Sequence, residues 1–162
     1  MEVAVGQLET LAAVLRARGW MLAAAESCTG GLIAAACTSL AGSSDWFERG
    51  FVTYSNAAKT EMLGVSEALI VEHGAVSAEV ARAMATGALA RSKAQLSVAV
   101  TGIAGPGGAT PSKPVGTVWL ATALAASAPQ ATLLQLHGDR SAVRDETVRH
   151  AIAALIAVLA TA

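Results

Sequence analysis

Charged side chains are scarce in this chain and nearly balanced in sign. They make up 14% of the 162 residues, and the formal net charge is −1. A protein needs an excess of positive charge to be drawn onto a phosphate backbone or an anionic membrane, so we expect neither nucleic acid nor a membrane surface as a partner. The hydrophobic content of 54% predicts an ordered globular protein.

Cysteine and histidine are also few. Cys28 and Cys37 lie in an alanine-rich stretch without a C-x-x-C spacing, and His73, His137 and His150 have no Cys, Asp or Glu partner at the spacing of metal ligands. Zinc and redox sites need such clusters. We therefore expect no metal site and interpret both cysteines as packed thiols.

Long hydrophobic runs are missing, because Gly, Pro or a charged residue interrupts each one well before the ~20 residues that a bilayer span requires. The first residues carry an acidic side chain at Glu2 and an amphipathic pattern, unlike the basic start and apolar core of a signal peptide. These observations predict a cytoplasmic protein without a membrane span. The length is typical of one domain, residues 1–162.

Helical and strand patterns alternate through the first two thirds of the chain, and two adjacent strands follow. Periodicity and turn residues predict helices at 3–18, 32–40, 56–62, 67–73, 78–92 and 141–159, and strands at 20–25, 47–54, 96–101, 115–123 and 131–137. The last two strands suggest an antiparallel pair. This order predicts an α/β fold, a three-layer α/β/α sandwich with a mixed β-sheet in a single domain.

Small polar residues mark several predicted helix starts. Asn56, Ser66, Ser77 and Ser141 each precede or begin a helical pattern, and side chains of this kind accept hydrogen bonds from the free amides of the first turn. We expect these four residues to be N-caps.

Three polar or glycine-rich segments, 26–31, 54–59 and 101–108, each follow a predicted strand. In open α/β sheets, ligands bind beyond the carboxyl ends of the strands, where loops meet helix N-termini. If the three strands run parallel, all three segments share one edge of the sheet.

Ser27 lies in the first of these segments and is a candidate nucleophile. Thr29, Gly30 and Gly31 would place backbone N–H groups at the start of the following helix, where such donors can hold an oxyanion. The alternative is structural, because Ser27 or Thr29 can cap the helix while the glycines serve a tight turn. Local sequence favours the structural alternative.

Lys59 is the only lysine before position 93 and falls in the first turn of a predicted helix. A lysine made neutral by burial or by a helix N-terminus can deprotonate a serine hydroxyl; the alternative is a solvated surface lysine. Tyr54, the only tyrosine, can orient or relay a proton, or pack against the sheet as a half-buried aromatic.

The loop that begins at Thr101 is rich in glycine and therefore in accessible backbone amides, which suit a phosphate or a carboxamide. Its Gly102 and Gly105 match neither a Walker loop nor the dinucleotide fingerprint, and a flexible surface crossing is the alternative. Arg140 lies near the start of the last helix, where an anionic ligand is favoured; there the alternative is an ordinary solvated cap.

Taken together, several segments resemble the CinA C-terminal domain family. They occur in the family's order and cover about residues 5–160, and the main ones are AESCTGG (25–31), WFERGFVTYSN (46–56) with Lys59, HGAVS (73–77), TGIAGP (101–106), KPVGTV (113–118) and GDR (138–140). The loop at 107–111 departs from the family pattern, since relatives often carry an acidic residue after the proline.

The resemblance implies an amidase that hydrolyses the carboxamide of nicotinamide mononucleotide, a small-molecule nucleotide, to the carboxylate and ammonia during NAD recycling, without a metal or other cofactor. In this interpretation Ser27 is the nucleophile, Lys59 the base and Tyr54 the proton relay. The substrate-binding candidates are Thr29, Gly30, Gly31, Thr101, Gly102, Gly105 and Arg140.

Three expectations accompany this hypothesis. The chain resembles the single-domain members, and because family members are commonly oligomeric, a homo-oligomer (dimer or higher) is expected. The alternative functions are a non-catalytic pyridine-nucleotide-binding module and an amidase for a different amide. The mechanism requires the fold to bring the amine of Lys59 within bonding distance of the Ser27 hydroxyl.

Overall fold

The structure is a computed structural model that describes residues 5–162. One mixed sheet has the strand order β2-β1-β3-β4-β5. Its strands are β1 (Leu22–Glu26), β2 (Phe47–Val52), β3 (Leu96–Gly102), β4 (Thr117–Leu124) and β5 (Gln130–Gln135). The helices are α1 (Val5–Arg18), α2 (Leu32–Thr38), α3 (Asn56–Leu63), α4 (Glu67–His73), α5 (Ala78–Ala90) and α6 (Arg140–Thr161), with a short 3-10 turn at Ser43–Asp45.

The sheet combines parallel and antiparallel pairs. β1 pairs in parallel with both β2 and β3, whereas β3 with β4 and β4 with β5 are antiparallel. The predicted antiparallel pair at the end of the chain is confirmed, and so is the mixed sheet. Because β1, β2 and β3 run in the same direction, their carboxyl ends lie at one edge of the sheet.

Helices cover both faces of the sheet. Alternate residues of β1 face opposite sides: Leu22 and Ala24 join a core with the helices α1, α2 and α6, while Ala23 and Ala25 join a second core with α4 and α5. The first core contains Leu11, Leu15, Ile33, Ile152 and Leu155, and the second contains Val80, Met84 and Ile70. The predicted three-layer arrangement is confirmed.

Two predicted N-caps are wrong. Ser55, not Asn56, caps α3 by accepting from the Ala58 amide at 3.0 Å. Asp139 replaces Ser141 as the cap of α6, since its carboxylate accepts from the Ala142 amide at 2.9 Å. In both cases the true cap lies one or two residues earlier, where extended backbone aims the side chain at the first turn. The caps at Ser66 and Ser77 are confirmed.

Element bounds differ from the sequence-based ones by a few residues. β2 ends at Val52 instead of continuing to 54, and β4 begins at Thr117 instead of 115. At Gly116 the backbone has a φ of +93°, and an added Cβ would lie 1.9 Å from the Leu136 carbonyl oxygen. This close approach of two backbones is open only to glycine. Residues 3 and 4 of the first predicted helix lie outside the described part of the chain.

The two cysteines are free and buried. Burial raises the pKa of the Cys28 thiol to about 11 and that of Cys37 to about 12, so both stay protonated at neutral pH. The interpretation as packed thiols is confirmed. In residues 5–162 none of the helices combines the length and the apolar character that crossing a membrane demands.

Candidate active site at the carboxyl edge of the sheet

The parallel strands bring the three polar segments together. Beyond the end of β1, the Ser27 amide donates to the Val100 carbonyl at 3.1 Å, and the Thr53 amide donates to the Glu26 carbonyl at 2.8 Å. These bonds extend the ladder of β1 to both neighbours by one residue. The segments that follow β1, β2 and β3 therefore lie side by side.

Lys59 and Ser27 meet at this edge. The Lys59 Nζ lies 3.0 Å from the Ser27 Oγ, and Lys59 has only 1% of its surface exposed. The Ser55 cap fixes the start of α3, so Lys59, in the first turn, points back toward the end of β1. The distance satisfies the geometric requirement of the mechanism, which is hydrogen-bond contact between nucleophile and base.

The surroundings of Lys59 favour the neutral amine. Burial lowers the pKa of Lys59 below its ordinary value, and the nearby Cys28 opposes this only in part. Within residues 5–162 no carboxylate forms an ion pair with Lys59. Its other contacts are the carbonyls of Thr53 at 3.0 Å and Tyr54 at 3.5 Å. A neutral amine can donate to these carbonyls and accept the proton of Ser27 with its lone pair.

The turn after Ser27 uses its donors internally. The Thr29 hydroxyl donates to Glu26 at 2.6 Å, and the Gly30 amide donates to the Ser27 carbonyl at 3.1 Å. The amides of Ile33 and Ala34, in the first turn of α2, donate to the Glu26 carboxylate at 2.8 and 3.0 Å. The start of α2 therefore already holds an anion that belongs to the protein, and the Gly30 amide expected to face an oxyanion is engaged in the turn.

Tyr54 and Arg140 meet across the mouth of the site. Arg140 donates to the Tyr54 phenol oxygen at 3.2 Å and to the Gly105 carbonyl at 2.8 Å. The Tyr54 side chain is largely exposed, so it stands at the entrance and is not a buried sheet residue. A guanidinium carries five N–H donors, and these two contacts leave donors of Arg140 for a ligand.

The segment between α4 and α5 forms one wall. The Thr101 hydroxyl donates to the Ala75 carbonyl at 2.9 Å, and Lys113 donates to the His73 carbonyl at 3.2 Å. Thr101 therefore positions this wall, and its oxygen keeps the capacity to accept a further hydrogen bond.

These groups surround a cavity of about 250 Å³. Its lining contains Ser27, Cys28, Tyr54, Asn56, Lys59, Ala75, Val76, Thr101, Gly102, Ala104 and Arg140. Among the lining residues within 5–162, Arg140 is cationic, Lys59 is a basic amine whose neutral form is favoured, and none is acidic, so the cavity suits an anionic or neutral ligand.

The structure brings together six of the ten candidate residues from the sequence: Ser27, Lys59, Tyr54, Thr101, Gly102 and Arg140 line the cavity. Thr29, Gly30, Gly31 and Gly105 lie outside its lining, in the turn before α2 and behind Arg140. Five lining residues were missed as site residues, namely Cys28, Asn56, Ala75, Val76 and Ala104. The HGAVS segment already indicated the wall at Ala75 and Val76, although small apolar residues carry no chemical signal of their own.

A metal would need several ligands in one place. Within residues 5–162, no group of three or more His, Cys, Asp or Glu side chains is arranged to hold one.

Fold and site together define a class, α/β proteins with a buried serine–lysine pair at the carboxyl edge of three parallel strands. The family model of the CinA C-terminal domain matches residues 6–159. This chain belongs to that family.

Two sequence relatives that share most of their length with this chain carry the same name. The chain is 54% identical over 134 residues to the nicotinamide-nucleotide amidohydrolase PncC of Enterobacter agglomerans, covering 83% of this chain and 82% of the relative. It is 49% identical over 147 residues to the protein of the same name from Escherichia coli K12, covering 91% and 89%.

Solved structures agree with the fold. The competence/damage inducible protein CihA of Agrobacterium tumefaciens is 48% identical, with a TM-score of 0.88 and coverage of 97% of this chain and 98% of that one. A CinA superfamily protein of Klebsiella pneumoniae is 38% identical, with a TM-score of 0.92 and the same coverage.

Proposed function

We propose that this protein deamidates nicotinamide mononucleotide to nicotinate mononucleotide and ammonia, as a step in NAD recycling. The observation that carries the proposal is the buried Lys59 amine, which lies 3.0 Å from the Ser27 hydroxyl and forms no ion pair with a carboxylate of residues 5–162. The choice of substrate rests on relatives named nicotinamide-nucleotide amidohydrolase, at 49% and 54% identity.

In the acylation step, the neutral Lys59 amine takes the proton of Ser27 while the serine oxygen attacks the carboxamide carbon. The tetrahedral intermediate collapses as the nitrogen receives that proton, and ammonia leaves. Tyr54 orients the departing group or relays the proton to it, from its place in the cavity lining. The products of this step are ammonia and an ester of the nicotinate carbonyl with Ser27.

In the deacylation step, water enters where ammonia left. Lys59, neutral again, takes a proton from that water as its oxygen attacks the ester carbon. The ester bond breaks, Ser27 recovers its proton from Lys59, and the product leaves as a carboxylic acid that gives its remaining proton to solvent. One buried base serves both halves of the reaction because its proton is returned each time.

The oxyanion needs donors inside the cavity. Since the Gly30 amide is engaged in the turn, we place the Cys28 amide first among the candidates, because Cys28 follows the nucleophile and lines the cavity. The Thr29 and Gly31 amides, in the turn outside the lining, are the other candidates, whereas the Thr101 hydroxyl would first have to release the Ala75 carbonyl to which it donates. A single oxyanion donor is worth about 3 kcal/mol in hydrolases where it has been removed.

The phosphate of the substrate needs cations or amides. Arg140 is the candidate, assisted by the backbone of the loop at 102–107, because it lines the cavity and has no carboxylate partner within residues 5–162. A guanidinium can bind a phosphate with two parallel hydrogen bonds.

Ammonia release from nicotinamide mononucleotide, nicotinamide and glutamine, measured side by side, tests the proposal. We expect turnover of the mononucleotide, and loss of at least about 10³-fold of kcat in Ser27→Ala with binding retained. Ser44→Ala, at an exposed serine, is the matched control. Calorimetric binding without ammonia release would favour a binding module, and turnover of another amide alone would change the substrate.

Assembly and compartment stay predictions. The family resemblance supports a homo-oligomer of two or more subunits, and the cytoplasmic location stays the expectation drawn from the sequence. Light scattering coupled to size-exclusion chromatography measures the first, and a peak at the mass of one chain would contradict it.

A further inference from the structure

The turn from Ser27 to Gly31 combines demanding backbone geometry with a high cost in conformational entropy. Gly30 and Gly31 both have positive φ angles, +59° and +109°, and glycine loses more conformational freedom on folding than any other residue. A nucleophile must nevertheless keep its position relative to its base to within a fraction of an ångström. Something other than the local chain must therefore fix this turn.

Glu26 holds the turn from the inside. Its backbone is locked between β2 and β3, and its side chain is fully buried. The carboxylate reaches across the turn to the Thr29 hydroxyl and to the amides of Ile33 and Ala34, at 2.6, 2.8 and 3.0 Å. No basic side chain in residues 5–162 forms an ion pair with it. The anion is satisfied by donors of the turn and of the helix start alone.

Arg144 holds the same turn from α6. Its Nε donates to the Cys28 carbonyl at 3.1 Å, and a terminal nitrogen donates to the Thr29 carbonyl at 3.2 Å. These two carbonyls belong to the residues that directly follow Ser27. Charge-assisted hydrogen bonds of this kind are about twice as strong as neutral ones, and the planar guanidinium fixes the directions of both.

The two side chains act on complementary groups. Glu26 accepts hydrogen bonds from N–H and O–H groups of the turn and of α2, and Arg144 donates hydrogen bonds to carbonyl oxygens of the turn. Neither lines the cavity, so neither touches a bound substrate. We propose that Glu26 and Arg144 are positioning residues that clamp the nucleophile turn and thereby hold the Ser27 hydroxyl at the Lys59 amine. This inference rests on the proposed function for the role of Ser27.

Weakening the clamp should lower kcat while KM stays nearly unchanged. Cavity residues that bind substrate, such as Arg140 and Tyr54, keep their places when the clamp is weakened, whereas the Ser27 oxygen does not. We expect Glu26→Gln to lower kcat about 100-fold, the loss that a misplacement of about 1 Å causes, with KM changed less than about threefold. Arg144→Met should lower kcat about tenfold, the cost of about one net hydrogen bond, again with KM preserved.

Sulfonylation of Ser27 by phenylmethylsulfonyl fluoride tests the clamp independently of the substrate. The serine oxygen bonds to sulfur, fluoride leaves, and the proton passes to Lys59, so the labelling rate reports the Ser27–Lys59 geometry. The rate should fall in both variants in proportion to kcat. If the proposed function is wrong, the unchanged chain releases no ammonia. The labelling rate of each variant, divided by that of the unchanged chain, still tests whether the clamp positions Ser27.

Arg16→Met is the matched control, because Arg16 also donates to a backbone carbonyl, that of Gly42 at 3.0 Å, outside the cavity lining. It should leave kcat, KM and labelling unchanged. If Glu26→Gln does not fold, Arg144→Met tests the proposal alone. Arg144 is only half-buried, so we expect its replacement to leave the fold intact. A folded Arg144→Met protein with unchanged kcat and labelling rate would overturn the inference, as would a rise in KM at constant kcat.

Discussion

Lys59 donates to the backbone carbonyl of Thr53 at 3.0 Å. The carbonyl oxygen accepts a hydrogen bond from the buried amine. Because it carries no full negative charge, it stabilises the protonated form of the amine less than a carboxylate would. Hydrogen bonding and desolvation therefore act together: the first fixes the position of the nitrogen, and the second lowers its pKa. A positioned amine beside a serine, with its neutral form favoured by burial, is the arrangement that a general base requires.

Activity should rise with pH as Lys59 loses its proton. Because only the neutral amine can accept the proton of Ser27, we expect kcat/KM to follow one ionisation whose apparent pKa lies below 10.5, the ordinary value for lysine. The pH profile of ammonia release measures it. Lys93→Met, at an exposed lysine, should keep the same profile. A flat profile across the stability range of the protein would remove Lys59 as the base.

Lys59→Met should stabilise the fold while it abolishes turnover. In the unfolded chain Lys59 keeps its proton up to about pH 10.5, but in the folded chain it loses the proton at lower pH. Between these two pH values the unfolded state holds more protons, so the free energy of unfolding rises with pH. Below them the full cost of burying an ammonium applies.

A methionine of similar shape removes that cost. We expect a gain on the order of 1 kcal/mol in the free energy of unfolding at neutral pH, shrinking as the pH approaches 10.5. Urea denaturation at several pH values measures this difference. A variant less stable than the unchanged chain at pH 7 would show that the lysine contributes more through its hydrogen bonds than burial costs.

Arg140→Met should weaken binding of the phosphorylated substrate selectively. A lost hydrogen bond to a charged group costs about 1.5–3 kcal/mol, so KM for nicotinamide mononucleotide should rise about 10- to 100-fold. The corresponding nucleoside, which lacks the phosphate, should be affected much less. Tyr54→Phe removes the phenol oxygen to which Arg140 donates. Its effect on KM shows how much the tyrosine contributes to phosphate binding by Arg140. Equal losses for nucleotide and nucleoside would contradict a phosphate contact.

Gly87→Ala should disturb both the fold and Lys59. An added Cβ at Gly87 would lie 2.0 Å from the Leu63 carbonyl oxygen of α3, so α3 must move away from α5. Overpacking of this kind costs about 1–3 kcal/mol, and the helix that moves carries Lys59. Thermal unfolding and kcat together measure the two effects.

Gly6→Ala, in α1, is the control for that change, because an added Cβ there has no atom within 4 Å from the other helices, strands and loops of residues 5–162. There the replacement should be neutral or stabilising by up to about 1 kcal/mol. Full stability and activity of Gly87→Ala would contradict the close approach of the two helices.

The sequence predicted the elements of this fold well, because each carries its own local signal. Leu8, Leu11, Ala12 and Leu15 recur at helical spacing, and all four are buried. The ends were harder to place. Whether Ser55 or Asn56 caps α3 depends on which side chain the preceding backbone aims at the helix, and composition alone does not encode that direction.

For the candidate site, the sequence predicted the residues and required contact between Ser27 and Lys59, but it did not show which strand pairing brings them together. Ser27 and Lys59 were chosen separately, and their hydrogen bond follows from the parallel pairing of β1 with β2. We expected the start of α2 to bind an anionic group of a ligand. Instead, the Glu26 side chain accepts hydrogen bonds there from residues seven and eight positions away. Such a reach cannot be read from spacing, since it depends on the angle between β1 and α2.

The sequence by itself determined the family, the order of helices and strands, and the chemical groups available for reaction. Their relationships were decided by tertiary structure: the strand order, the burial of an amine beside a hydroxyl, and the contact between Tyr54 and Arg140 over 86 positions. The physical reason is that periodicity and caps are local properties of the chain. The ionisation of Lys59 and the direction of its lone pair, in contrast, depend on solvent exclusion and on backbone carbonyls that packing brings from elsewhere.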